Sequence, residues 1–292
     1  MPTALRRLLD QRAQPLPAVL RNSILAISAV AVVAGSIWAW SSTGLAVDDI
    51  NWLPIGVAFA IAAPASLVLK AFEFRISAQI AGQNPGRRRS LNVAVVSSAA
   101  NLLPLPGSLL VTVRSLSEDG STYGRAIAAS AVPGLAWLGI TGIVGGIAIG
   151  IEGALWLAVL TIACGMAAGI AATTLFASTA PADGRVKLGA SIIAVEAGWL
   201  AVSAVRLGLA VTALGVSIDP TQAVALSVAG ALTVAIGFFP GGLGVREALI
   251  AALAPLIGLP FDTGVLLGSL DRVVWLAFLA LAAGVLALRR DG

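Results

Sequence analysis

Histidine is absent from the 292 residues, cysteine and tyrosine each occur once, and charged residues make up only 11%. With no histidine and a lone Cys164, a disulfide framework, a His/Cys metal site and a histidine-based triad are all excluded. Soluble domains carry about 25% charged residues, so the scarcity of charge also argues against a water-soluble protein. No polar stretch is long enough to build a soluble catalytic domain, and the expectation is a non-enzyme without cofactor or metal.

What fills the chain instead is hydrophobic residue, 58% of the total. Several runs exceed the ~20 apolar residues that cross a bilayer as a helix. They are continuous and lack period-two alternation, which points away from a β-barrel. The fold class expected is an all-α polytopic membrane protein, a single integral domain over 1–292. Net charge is +4, but the basic residues cluster beside apolar spans, the pattern of cytoplasmic anchoring rather than of nucleic acid binding. Residues 1–21 carry Arg6, Arg7, Arg12 and Arg21, and the apolar run after them is too long for a cleaved signal core. It reads as a retained first span.

Full spans are expected near 22–41, 50–72, 126–150, 153–178, 189–214 and 264–288. Two further apolar segments, 91–117 and 221–260, are broken by NLLPLPGS at 101–108 and FFPGGLG at 238–244. The halves of each are mostly short of a crossing, so each reads as a re-entrant helix–turn–helix shielded by protein. With cytoplasmic termini and both breaks re-entrant, the inside holds the four N-terminal arginines together with Arg75, Arg87, Arg88, Arg89, Arg114, Arg125, Arg185, Lys187, Arg289 and Arg290. Those are fourteen of the 18 basic residues, whereas the outer loops hold Asp48, Asp49, Glu152, Asp219 and Asp262 and no Lys or Arg. A full crossing by only one break would invert every later loop and spoil this asymmetry.

The same topology outlines two units of span, break and span, about 50–150 and about 189–288, running in opposite directions. Inverted repeats with discontinuous helices are a recurrent transporter plan, with the substrate site at the midplane between them.

The second break is the chemically richer one. Gly241, Gly242 and Gly244 offer a turn with free backbone N–H groups, and Val245 starts a half-helix whose positive end faces that turn. Helix N-termini and glycine-rich nests bind anions, and Arg246 adds a forked, permanent charge suited to phosphate. Glu247 is placed to pair with Arg246 or to position it. Arg206 lies eight residues from the end of its span and Arg272 eight from the start of its own, both ~12 Å below the outer boundary. Together the three arginines form a candidate lipid-phosphate site; the alternative is that each pairs with a carboxylate such as Glu196 or Asp271 and only fixes helix packing. A carboxylate held in a membrane can carry a coupling proton, since burial favours the neutral acid. Glu196, Glu247 and Asp271 are the candidates. Lys70 and Glu73 are expected to snorkel. At the first break, Asn101, Pro106, Gly107 and Arg114 mark a counterpart with poorer chemistry. Trp38, Trp40, Trp52 and Trp156 are expected as interface anchors.

At PGGLGVREA, residues 240–248, the chain resembles the lysylphosphatidylglycerol synthase transmembrane, or flippase-like, family. Its Pro-Gly-Gly-Leu-Gly-x-Arg-Glu-Ala signature is followed by a span opening on an acidic-Arg or polar-Arg pair, here Asp271-Arg272. Asn101, Pro106, Gly107 and Arg114 fit its earlier motif, while Leu110 and Val111 stand where Gly-Glu is the rule. Members fused to a soluble aminoacyl-transferring domain make and flip lysyl-phosphatidylglycerol. Without that domain, the resemblance implies translocation of an anionic phospholipid or polyprenyl-phosphate-linked lipid across the cell (inner) membrane. The partners it implies are membrane lipids, with a homo-oligomer or a separate lipid-modifying enzyme as further options. Transport of a small soluble anion, or service as a non-catalytic partner of an envelope enzyme, are the competing functions.

Overall fold

A computed structural model describes residues 33–34, 36–38, 40–44, 47–101, 107–236 and 244–288. Every regular element among them is helical. Five helices are long and apolar enough to cross a membrane: α1 (Trp52–Ile80), α4 (Tyr123–Ile151), α5 (Leu155–Thr179), α6 (Arg185–Ala213) and α9 (Phe261–Leu288). Most of the expected first span, 22–41, lies outside the described residues. Its end is helical and antiparallel to α9, because Ser36 bonds Ser269 at 2.7 Å and Ser42 bonds Asp262 at 3.1 Å.

The broken segments form four shorter helices: α2 (Arg87–Ala100), α3 (Gly107–Glu118), α7 (Pro220–Ile236) and α8 (Val245–Leu253), the last extended by a 3₁₀ turn, Ala254–Ile257. They pair as antiparallel hairpins. At the open end of the first, Arg89 forms an ion pair with Asp119 at 2.8 Å; at its tip, Gly107 lies against the Ala100 carbonyl, where a Cβ has no room. At the open end of the second, Gln222 Nε2 donates to the Ile257 carbonyl at 3.2 Å. At ~1.5 Å per residue, helices of 14, 12, 17 and 9 residues all fall short of a ~30 Å hydrocarbon core.

One difference from the sequence reading concerns α1, which runs eight residues past the expected boundary at 72. Lys70 and Glu73 mimic a span end, but they pair with each other at 2.8 Å one turn apart. The helix then continues because Phe74, Ile76, Ala78 and Ile80 are buried against the first hairpin.

Each hairpin has its own apolar core. The first packs Val93, Val113 and Leu116 against the end of α1 and the starts of α4 and α6 (Ala126, Val132, Ile192). The second packs Leu226, Ile250 and Leu253 against the ends of the same two helices (Ile149, Leu207, Val211). Helices α1 and α6, which open the two span–hairpin–span units, are antiparallel: Asn51 N donates to the Ala213 carbonyl at 3.0 Å, Ser66 meets Arg206, and Leu69 packs on Gly198. The two units thus repeat one element order in opposed directions.

Helices α4 and α5 meet backbone to backbone. A Cβ on Gly142 would lie 2.7 Å from the Gly165 Cα, with Gly139 and Gly146 similarly confined. Small residues at such crossings replace a hydrophobic drive that lipid does not provide. Gly142→Ala is expected to destabilise by about 1–3 kcal/mol through overpacking. Gly169→Ala, on the same seam but facing open space, is expected to be neutral or to gain up to about 1 kcal/mol of helix propensity. Chemical or thermal unfolding in detergent measures both.

Candidate functional site

Gly264 and Gly268 bring α9 against α8. A Cβ at Gly264 would stand 2.7 Å from the Ala251 Cα, and one at Gly268 would stand 3.0 Å from the Glu247 Cα. One turn beyond Gly268 is Arg272, and this approach lets its Nε donate to Glu247 Oε1 at 2.8 Å. Glu247 also caps its own helix, accepting from the Gly244 N–H on Oε2 at 2.9 Å. Gly244 has φ of +80°, a conformation that favours glycine. The capping carboxylate is therefore also the counter-charge of Arg272.

Asp271 holds the other two arginines. Its Oδ1 lies 2.8 Å from Arg206 Nη2 and its Oδ2 lies 2.6 Å from Arg246 Nη1. Asp271 is 3% exposed and Arg206 8%. A shared carboxylate at this depth is the arrangement that makes buried arginines tolerable, since charge-assisted bonds offset the loss of hydration.

Further contacts fix Arg206. Its Nη2 donates to the Asp271 backbone carbonyl at 3.3 Å, and its Nη1 reaches Ser66 Oγ on α1 at 3.5 Å. Ser66 donates in turn to the Ala62 carbonyl, at the end of a π-helical segment, Ala58–Ala62. The guanidinium lies 5.2 Å from the Trp275 ring centroid, a cation–π contact. Arg206 Nε is buried and has no hydrogen-bond partner. Arg246 has the most accessible side chain of the three, at 22%, and among the described residues only its Nη1 is hydrogen-bonded.

The first N–H groups of α8, the helix that carries Arg246 and Glu247, have no acceptor within their own helix. Three arginines and two carboxylates, gathered from α6, α8 and α9, leave one net positive charge among the described residues.

The remaining candidates are placed elsewhere. Gly241, Gly242 and Pro106 lie outside the described residues. Arg114 is exposed and pairs with Glu118 at 2.9 Å; Asn101 ends α2 and Gly107 begins α3. The structure does not bring them to the arginine web. Glu196 is also separate from it: on α6, ten residues before Arg206, it is 1% exposed, and its Oε1 has no hydrogen-bond partner. Ser66 and Trp275 are the site residues that the sequence did not disclose, since neither an isolated serine nor an isolated tryptophan in an apolar run carries a signal.

Comparisons with protein-family models, curated proteins and solved structures found no match.

Asp271→Asn strips two buried arginines of their common counter-charge and is expected to cost about 3–5 kcal/mol of stability. Arg114→Ala, which breaks only an exposed pair, is expected to cost under about 1 kcal/mol. Unfolding midpoints of the two variants in the same detergent test that contrast.

Proposed function

We propose that this membrane protein is a lipid translocator of the cell membrane, moving an anionic phospholipid or polyprenyl-phosphate-type headgroup between leaflets. The observation that carries the reading is the arginine web beside the start of α8. Three arginines, two carboxylates and an unused buried donor on Arg206 converge at a helix N-terminus inside an apolar bundle. Charged side chains at a bilayer centre cost about 2.5–3.5 kcal/mol each on insertion scales, and membrane proteins retain them chiefly at substrate pathways. A phosphate monoanion matches the one missing charge. Arg246 offers its unused donors, and α8 offers its first N–H groups.

On this reading both hairpins are re-entrant, each entering and leaving by one face. Their opposed orientation makes the two units an inverted repeat with the phosphate site at the midplane. Alternate rocking of the units would expose the site to one leaflet and then the other, while the acyl or prenyl chain stays in the bilayer. In the resting state Asp271 and Glu247 stand in for the phosphate oxygens, and the arriving headgroup exchanges with them as the arginines' partner. The likeness of residues 240–248 to the flippase-like family points the same way.

Purified protein in proteoliposomes should move fluorescent phosphatidylglycerol or a polyprenyl-phosphate analogue. Arg246→Ala should lower the rate roughly ten- to a hundredfold, the equivalent of a charge-assisted hydrogen bond of about 1.5–3 kcal/mol. A folded Arg246→Ala variant with full activity would refute the assignment. Uptake of inorganic phosphate without lipid movement would turn the reading to a soluble-anion transporter.

A further inference from the structure

Four basic residues lie outside the cytoplasmic segments: Lys70, Arg206, Arg246 and Arg272. All four are ion-paired, and they occupy only three carboxylates, Glu73, Asp271 and Glu247. A further acid, Glu196 on α6, has no ion pair or hydrogen bond among the described residues, although it is more deeply buried than Asp271 or Glu247. Of the three carboxylates that the sequence nominates as proton carriers, two are therefore ion-paired with arginine. Only Glu196 is in a position to exchange a proton.

We propose that Glu196 is the coupling-proton site of the transport cycle, built into the contact between α1 and α6. As a statement about coupling, this rests on the translocator reading. An isolated carboxylate excluded from water is stable as the neutral acid, because a buried unpaired charge costs far more than losing the proton. The charged groups facing Glu196 are Glu73 and Lys70, both on α1. Lys70 is engaged by both oxygens of Glu73, at 2.8 and 2.9 Å. Other helices add little: α4 carries no charge after Arg125, α5 carries none, and the charges of α9 beyond Asp262 belong to the arginine web. Arg75, on the last turns of α1, is the remaining cation of that helix.

Two states follow. With Glu196 neutral, Lys70 belongs to Glu73, as observed. Once Glu196 loses its proton, two carboxylates compete for one ammonium, and α1 must shift against α6 to share it. The same two helices carry the Ser66–Arg206 contact, about three turns of α6 (~15 Å) away. A shift at the Glu196 layer is thereby transmitted to the arginine that helps hold the phosphate. This is a local charge change acting on an element with two arrangements.

Infrared spectroscopy of the protein in lipid, together with headgroup transport under an imposed pH gradient, tests this. The wild type should display the carbonyl stretch of a neutral carboxylic acid at neutral pH. Glu196→Gln, which imitates the neutral acid in shape, should fold and lose that band; Glu196→Asp should retain it. If one proton travels with each lipid, the ratio of headgroup between leaflets should shift by about tenfold per pH unit of gradient, and Glu196→Gln should abolish the shift. No band lost on substitution, or a wild-type distribution that ignores the gradient, would overturn the proposal. In that second case, continued lipid movement leaves the translocator reading intact. If the wild type moves no lipid while the band is present and lost in Glu196→Gln, the translocator reading fails and the proton site stands.

Discussion

Charge in a low-dielectric interior must be matched by charge, and the carboxylate of Asp271 meets that demand for two arginines at once. The helix arrangement is organised around this match. The second hairpin reaches the middle of the bundle because Arg246 needs Asp271 there. Helix α6 runs beside α9 with Arg206 turned inward for the same partner. Glycines at 264 and 268 let α8 approach α9 closely enough for the parallel pairing of Arg272 with Glu247. Removing the acid would leave two cations in hydrocarbon, a far larger penalty than the loss of any single apolar contact in the surrounding cores.

The layout of the bundle was largely legible from residue order, because each cue has a local physical cause. Clustered proline and glycine interrupt a helix where an isolated residue such as Pro133 of α4 does not, so the hairpins at 87–118 and 220–257 announce themselves. The opposed directions expected for the second and fifth spans from the basic loops agree with the antiparallel packing of α1 and α6. The end of α1 was misread for an equally local reason. Lys70 and Glu73 resemble an interface pair until their one-turn spacing is seen to neutralise them within the helix.

Pairing was the illegible part. Arg206 and Asp271 are 65 residues apart, and nothing in either neighbourhood marks one as the other's partner. The sequence offered Glu196 and Asp271 equally as counter-ions. Only the crossing of α6 with α9 decides between them, and that depends on helix packing rather than on local composition. Ser66 and Trp275 likewise acquire meaning only when α1 and α9 converge on Arg206.

The seam between α4 and α5 has a mechanical consequence. Where α4 and α5 touch through Gly139, Gly142 and Gly165, the nearest atoms across the seam are backbone, which leaves little to change rotamer or slide, and Ile162 fills the space beside Gly146. The pair is a stiff plate. Domain motion in such a bundle divides into shear, which needs interdigitated side chains that can re-pack, and hinge rotation, which does not. The α4–α5 plate is closed to shear, so relative displacement is left to the side-chain-lined contacts of α1 with α6 and of the hairpins with their cores. On the translocator reading, α5, the helix between the two span–hairpin–span units, belongs to the part that stays fixed while the polar contacts move.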